Sequence, residues 1–183
     1  MYRESIWGTR MAFIIVDPQR KFSLKTDDWD DRRNLAVENI NLFARMFRER
    51  GLPVIFVYFE GESHIPYGDN DGDDWLPGIE SSDSDIVVHK KHMSCFKETE
   101  LEQILRENKV DCVLFGGMLT EFCVMSTYFS ASERGFATYL AKDALIPYNK
   151  EGNQAAEVIC SIVTKDTVER FIDGKQPPMS ITE

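Results

Sequence analysis

Residues 109–135 read KVDCVLFGGMLTEFCVMSTYFSASERG, and this stretch decides the class of fold. Its apolar segment, Val110 to Phe115, is bounded by two glycines and predicts a buried strand. An amphipathic helix is predicted next, with Thr120 as its N-cap and Gly135 just beyond its last turn. Its apolar face recurs at helical spacing through Val124, Thr127, Tyr128 and Ala131.

Cys123 falls at about the third position of this predicted helix. A thiol in the first turn lies near the positive end of the helix dipole, which favours the thiolate. Free backbone N–H groups at the same place could hold an oxyanion. Position alone leaves two interpretations open, because most intracellular cysteines are small buried hydrophobic residues and only some are nucleophiles.

Composition narrows the class of protein. A chain of 183 residues with 43% hydrophobic and 28% charged residues is typical of one globular domain, and a single domain is predicted over residues 1–183. The net charge of −10 argues against nucleic acid and anionic membranes as partners. The early charges of the N-terminus are unlike a signal peptide. The four cysteines show no metal-binding spacing, which favours reduced thiols and a cytoplasmic location.

Strand and helix patterns alternate along the rest of the chain. Further strands are predicted at 11–16, 54–59, 86–88, 137–141 and 162–164. Helices are predicted at 33–50, at 97–108, from 149 or 152 to about 161, and as a short element after 169. This alternation predicts an α/β fold, a doubly wound, mostly parallel six-stranded sheet with helices on both faces, a Rossmann-type three-layer architecture.

Three chemically capable residues follow apolar strands. Asp17 comes directly after the first strand, Lys90 after the third, and Cys123 after the fourth. The carboxyl ends of parallel strands meet at one edge of a sheet, so the three are expected to converge. A carboxylate can take a proton from a thiol, and an ammonium favours the charged form of both.

Four motifs carry a resemblance to a known superfamily. They are FIIVDPQRKF at 13–22, VVHKKHMSCF at 87–96, VLFGGMLTEFCVMSTYFSASERGF at 113–136, and KDAL at 142–145. Together they resemble the isochorismatase-like cysteine hydrolases, which include nicotinamidases and N-carbamoylsarcosine amidases. The resemblance covers about residues 12–168. It implies that Asp17 is the general base, Lys90 the catalytic lysine and Cys123 the nucleophile.

The resemblance also implies features around this triad. The bond between Met118 and Leu119 matches a non-proline cis peptide of the superfamily. The N–H groups of Leu119 and Cys123 would then form an oxyanion hole. Phe22 would line the substrate pocket, and two more aromatic residues are candidates for that role: Trp75, which could instead anchor its loop, and Phe122.

The residues after the second strand depart from the zinc-binding members of the superfamily. Their Asp-x-His motif is replaced here by FEGESHIPYG, in which His64 is the one histidine. Neither a bound metal nor another cofactor is expected. A calcium-loop spacing at Asp69, Asp71, Asp73 and Glu80 is opposed by Asp74, which replaces the required glycine. The long segment 60–85 is typical of a functional loop or lid, and Cys95 is interpreted as a packing residue.

These observations predict a metal-independent cysteine hydrolase that cleaves a C–N bond of a small amide or carbamoyl compound through an acyl-enzyme. The alternatives are hydrolysis of another small ester or ether, as in isochorismatases, and a catalytically silent protein that binds a metabolite. A dinucleotide-binding protein is disfavoured, because no G-x-G-x-x-G follows Val16. A homo-oligomer, dimer or tetramer, is implied by the resemblance and by an apparent excess of apolar residues at Tyr128, Phe129 and Phe136.

Overall fold

A computed structural model describes residues 10–62 and 72–174. Its centre is one six-stranded sheet with the strand order β3-β2-β1-β4-β5-β6. The strands are β1 (Met11–Val16), β2 (Val54–Phe59), β3 (Ile86–Lys90), β4 (Cys112–Met118), β5 (Ala137–Ile146) and β6 (Ile162–Val163). Every pairing between neighbouring strands is parallel. From β1 the chain adds β2 and β3 on one side, and β4, β5 and β6 then follow on the other side of β1. The predicted doubly wound α/β sheet is confirmed.

Five α-helices cover the two faces of the sheet. They are α1 (Trp29–Glu49), α2 (Leu101–Glu107), α3 (Met125–Glu133), α4 (Gly152–Ile159) and α5 (Lys165–Ile172). The side chains of β1 alternate between the faces: Phe13 belongs to the core cluster that contains residues of α1 and α5, whereas Ile14 belongs to the cluster that contains residues of α2, α3 and α4. Because β1 is central, its residues are all buried and read as an unbroken apolar segment. Within the described residues, no helix is long and apolar enough to cross a membrane.

The two glycines after Phe115 belong to β4, which corrects their prediction as the end of the strand. Gly117 has a φ of 101°, which a side chain rarely adopts. A Cβ there would overlap the carbonyl oxygen of Val16 and lie 2.6 Å from its nitrogen. Glycine therefore lets β4 run close beside the end of β1, which brings the ends of both strands to the same place.

Replacing Gly117 with alanine should lower the free energy of unfolding by at least ~2 kcal/mol, because the new Cβ meets backbone that cannot move aside. Gly135 is the matched control: its φ is also positive, at 83°, but its Cβ would meet open space. Urea denaturation of both variants measures the difference. Equal losses in Gly117→Ala and Gly135→Ala would show that close approach to β1 is not what requires the glycine.

Strand β5 extends to Ile146, although its apolar pattern predicts an end at Ala141. Its pairing with β4 shifts register between Phe115 and Gly117, and Asp143 adopts a φ of 63°. Such a bulge turns Lys142 and Asp143 outward before the apolar side chains resume. The two polar residues at the bulge therefore explain why the sequence pattern predicts that the strand ends at Ala141.

Helix boundaries also differ from their predictions. Helix α1 begins at Trp29, four residues before the predicted start at Arg33, because acidic residues in its first turn hide the apolar pattern while suiting the helix dipole. Helix α2 begins at Leu101 and not at Lys97, and α5 begins at Lys165 and not at Glu169. Residues after 174 lie outside the described part of the chain.

Candidate active site

Asp17 directly follows β1 and is completely buried. Its φ of 46° is unusual for a residue with a side chain, and its N–H donates to the carbonyl of Val57 at 3.1 Å. Its carbonyl accepts a short bond, 2.7 Å, from the N–H of Gln19. The backbone at the end of β1 is thus held from both sides, which fixes the direction of the Asp17 carboxylate.

Lys90 is the last residue of β3 and is also buried. Its Nζ lies 2.7 Å from Oδ2 of Asp17. The same ammonium donates to the carbonyls of His92 at 3.1 Å and Met93 at 3.0 Å. The ammonium is therefore held by two backbone carbonyls, and its charge is placed against the Asp17 carboxylate.

Cys123 lies in a π-helical turn, Thr120–Val124, that joins β4 to α3. It is half-buried, whereas the other three cysteines of the chain are buried. Its carbonyl accepts a short bond, 2.6 Å, from the hydroxyl of Thr127 one turn later. Thr120 was predicted as the N-cap, and this is wrong: Leu119 occupies that place, and the Thr120 hydroxyl donates to Oδ1 of Asn153 at 2.8 Å.

Asp17 and Lys90 form an ion pair, and Cys123 lies close enough to influence the pKa of both. Complete burial raises the pKa of the Asp17 carboxyl above its ordinary value of 3.8, while Lys90, Cys123 and Lys21 act in the opposite direction. Burial tends to lower the pKa of Lys90, but Asp17, Cys95 and Cys123 together outweigh it and raise that pKa. The structure therefore brings together a carboxylate, an ammonium and a thiol at the edge of the sheet where the sequence places them.

The state of the thiol differs from the sequence-based expectation. Burial and the charge of Asp17 raise the pKa of Cys123 above its ordinary 9.0, and the opposing influence of Lys90 is smaller. The expected preference of the helix start for a thiolate is thus outweighed. The raised pKa favours the thiol, so formation of a nucleophile there requires a base, and Asp17 is the neighbouring carboxylate that influences the thiol.

The peptide bond between Met118 and Leu119 is cis. Both residues are buried, and the Leu119 carbonyl accepts from the N–H groups of Phe122 at 3.0 Å and Val124 at 3.3 Å. The cis bond therefore stands at the junction of β4 and the turn that carries Cys123. An oxyanion hole formed by the N–H groups of Leu119 and Cys123 would lie at this junction.

The three candidate substrate-binding aromatics occupy different environments. Phe22 is buried against Phe59, with ring centroids 5.7 Å apart. Trp75 packs on Phe56 at 5.4 Å and on Tyr58 at 5.5 Å, so it anchors its loop to β2. Phe122, next to Cys123, remains 41% exposed. Of the three, Phe122 offers an open aromatic face to solvent.

Two buried polar residues beside the site, Gln19 and Lys21, secure the segment that follows β2. The Gln19 side chain accepts from the N–H of Phe59 at 2.8 Å and donates to its carbonyl at 3.2 Å. Lys21 Nζ donates to the carbonyl of Gly61 at 2.9 Å and lies 2.7 Å from Oδ1 of Asp73. The role of Lys21 could not be predicted from the sequence, because its partner Gly61 lies 40 residues away and no local pattern marks the lysine.

The described part of the 60–85 segment is docked on the body of the protein. Leu76 is buried, and its N–H donates to the carbonyl of Pro18 at 2.8 Å. Asn41 of α1 donates to the carbonyl of Gly78 at 2.7 Å and accepts from the N–H of Glu80 at 2.9 Å. The segment from residue 72 onward is therefore part of the packed structure.

The described residues between β2 and β3, 60–62 and 72–85, do not offer the donor set of a metal ion. Glu60 pairs with His89 at 3.1 Å and with Lys91 at 3.6 Å. Glu80, a candidate calcium ligand, instead binds Arg45 through both carboxylate oxygens. Within the described residues, no three His, Cys, Asp or Glu side chains gather as ligands would. His64, Asp69 and Asp71 lie outside the described residues.

Two of the apolar residues that suggested an oligomer are instead part of the core. Tyr128 and Phe136 are buried, and the Tyr128 hydroxyl accepts from the N–H of Ser161 at 3.0 Å. Phe129 alone of the three remains exposed. Cys95 is buried as a packing residue would be, and burial raises its pKa to about 12.

Known proteins are similar to this chain in sequence and in fold. The family model described as Isochorismatase domain matches residues 11–159. The uncharacterised isochorismatase family protein YrdC of Bacillus subtilis (strain 168) is 32% identical over 138 residues, 74% of this chain and 73% of that protein.

Solved structures share the fold at lower identity. N-carbamoylsarcosine amidase from Thermoplasma acidophilum superposes with a TM-score of 0.70 at 23% identity, over 86% of this chain and 96% of that one. Pyrazinamidase of Pyrococcus horikoshii, in complex with zinc, gives a TM-score of 0.71 at 24% identity, over 85% and 99%. Because the family model spans most of the chain and YrdC exceeds 30% identity over nearly three quarters of it, the chain belongs to the isochorismatase family of hydrolases.

Proposed function

We propose that the protein is a metal-independent cysteine hydrolase that cleaves a C–N bond in a small amide or carbamoyl compound. One observation carries this proposal: the buried Asp17 carboxylate is paired with the Lys90 ammonium and lies close enough to the Cys123 thiol for each to shift the pKa of the other. Two proteins that share the fold are named as amidases, which supports an amide as the substrate class.

The proposed reaction begins with transfer of the Cys123 proton to Asp17. The thiolate sulfur attacks the substrate carbonyl carbon, and the resulting oxyanion is stabilised by the N–H groups of Leu119 and Cys123. Asp17 then returns the proton to the leaving nitrogen, the C–N bond breaks, and ammonia or an amine departs. The acyl group remains on sulfur as a thioester.

The second half of the reaction regenerates the enzyme. Asp17 takes a proton from water, the hydroxide oxygen attacks the thioester carbonyl, and the C–S bond breaks to release the acid. The Cys123 sulfur then recovers its proton from Asp17. Lys90 keeps its own proton, since Asp17 and the neighbouring thiols together raise its pKa, and it stabilises Asp17 at each stage of the reaction in which that residue is ionised.

A panel of small primary amides, N-carbamoyl compounds, esters and vinyl ethers tests this proposal, with ammonia or acid release as the readout. We expect turnover of one or more amides or carbamoyl compounds, unchanged after dialysis against a strong chelator. Turnover confined to ethers or esters would favour the isochorismatase-type alternative. A selectively reactive Cys123 without any turnover would favour a metabolite-binding protein, and loss of activity on chelation would refute metal independence.

We also propose that the protein assembles as a homo-oligomer, a dimer or tetramer. Three large apolar side chains are exposed on helices α3 and α4: Phe129, Val158 and Ile159, of which Val158 is 88% exposed. Burial of such residues between two copies would remove them from water. Multi-angle light scattering at micromolar concentration should give at least twice the 21.1 kDa chain mass, whereas a monomer would contradict this prediction.

A further inference from the structure

The turn that carries Cys123 is attached to a segment that is distant in sequence. This segment, residues 147–153, leads from β5 into α4 and is called the α4 approach. Thr120 donates to Asn153, and Asn153 in turn donates to the carbonyl of Leu145 at 3.1 Å. The ring of Phe122 meets that of Tyr148 edge to face, with centroids 5.9 Å apart. The residues on both sides of Glu121 therefore contact the same region.

Glu121 makes the strongest of these attachments. Its Oε2 accepts from the N–H of Tyr148 at 2.8 Å, and its Oε1 accepts from the N–H of Asn149 at 2.9 Å. Bonds from N–H groups to an ionised carboxylate are stronger than those between neutral groups. Two adjacent amides on one carboxylate hold the α4 approach at a fixed position relative to the cysteine two residues further on.

Gly152 completes this arrangement from the other side. A Cβ built on Gly152 would overlap Oε1 and Cδ of Glu121 and would lie 2.8 Å from Oε2. The carboxylate therefore lies directly against the backbone where α4 begins. The φ of Gly152 is not in the left-handed region, so what glycine provides at this position is room for the Glu121 carboxylate, which a Cβ would displace.

We infer that Glu121 is a positioning residue for the nucleophile: its carboxylate, seated on the Tyr148 and Asn149 amides and against Gly152, fixes the turn that aims Cys123. This inference rests on the proposed function, because it treats Cys123 as the nucleophile. Glu121 itself touches no reacting atom. Displacement of a reacting atom by about 1 Å can cost on the order of 100-fold in rate, so a small shift of this turn is sufficient for a measurable effect.

The test measures two quantities, the rate of Cys123 alkylation by iodoacetamide and, for a substrate found in the amide panel, kcat and KM. Glu121→Gln retains the size of the side chain but leaves one amide facing an NH₂ group. We expect kcat to fall about 10- to 100-fold with KM changed much less, and alkylation of Cys123 to change in rate. Glu133→Gln, an exposed carboxylate at the end of α3, is the matched control and should behave as the unaltered protein.

A double-mutant cycle isolates the contact with Gly152. Gly152→Ala should impair kcat and alkylation in the presence of Glu121 and should cost much less in the Glu121→Ala background, where the overlapping carboxylate is gone. An equal cost in both backgrounds, or normal kcat and alkylation in Glu121→Gln, would overturn the inference. If Gly152→Ala fails to fold, kcat and the alkylation rate of Glu121→Gln and Glu121→Ala still test the inference. Alkylation needs no substrate, so the inference remains testable even if no amide is hydrolysed.

Discussion

Cys123→Ala should abolish hydrolysis, with a loss in kcat on the order of 10⁴-fold or more, as is typical when a nucleophile is removed from a site that acts as a unit. Cys123→Ser should be nearly as inactive, because a serine hydroxyl is far harder to ionise beside a single carboxylate. Steady-state rates on any substrate from the panel measure both. Cys160→Ala changes a buried thiol at the end of α4, outside the site, and should retain activity.

Labelling gives an independent check on the same residue. Cys123 is half-buried and the other three cysteines are buried, so mass spectrometry should find Cys123 alkylated first in the folded protein. Its raised pKa predicts slow alkylation near neutral pH that accelerates as the pH rises. If Cys123→Ala keeps most of the activity, the cysteine-hydrolase mechanism is wrong, and His64 and the acidic loop would need to be examined as a metal site.

Asp17→Asn should be almost as damaging as loss of the cysteine. It removes the base, which contributes about 10²- to 10⁴-fold in such reactions, while it keeps the shape of the side chain. It also leaves the buried Lys90 ammonium without its partner, which typically costs about 3–5 kcal/mol of stability. Urea denaturation should therefore show a weaker fold in Asp17→Asn and in Lys90→Met.

The double variant Asp17→Asn with Lys90→Met separates the two effects. Both charges are then removed from a buried site, and replacement of a buried ion pair by uncharged groups is often neutral or stabilising. We expect this protein to recover most of the lost stability and to remain inactive. A double variant as unstable as the sum of the single variants would mean that the ion pair is not the source of their instability.

Lys90→Met also has a predicted pH signature. Lys90 lowers the pKa of both Asp17 and Cys123, so its removal raises both. The reaction requires ionised Asp17, and activity falls as the pH drops through the pKa of that carboxyl. The acid limb of kcat/KM should therefore move to higher pH, and so should alkylation of Cys123. Unchanged profiles for both would show that Lys90 does not act on these two groups.

The predictions from sequence were most successful where the local pattern records burial. Strands β1 and β2 have the predicted bounds, because strands buried on both faces read as continuous apolar segments. Parallel order then follows from the alternation with helices, and it places Asp17, Lys90 and Cys123 at one edge of the sheet. The proximity of three residues far apart in the chain could thus be predicted without coordinates.

Tertiary structure decided what depends on partners distant in sequence. The burial of Lys21, the anchoring of Trp75 on β2 and the burial of Phe136 leave no periodic trace, because each side chain is defined by a contact with another element. The same holds for the charge state of Cys123, where burial and Asp17 outweigh the helix start. Local residues determined which elements form and in what order, and packing between those elements determined what each side chain at the site can do.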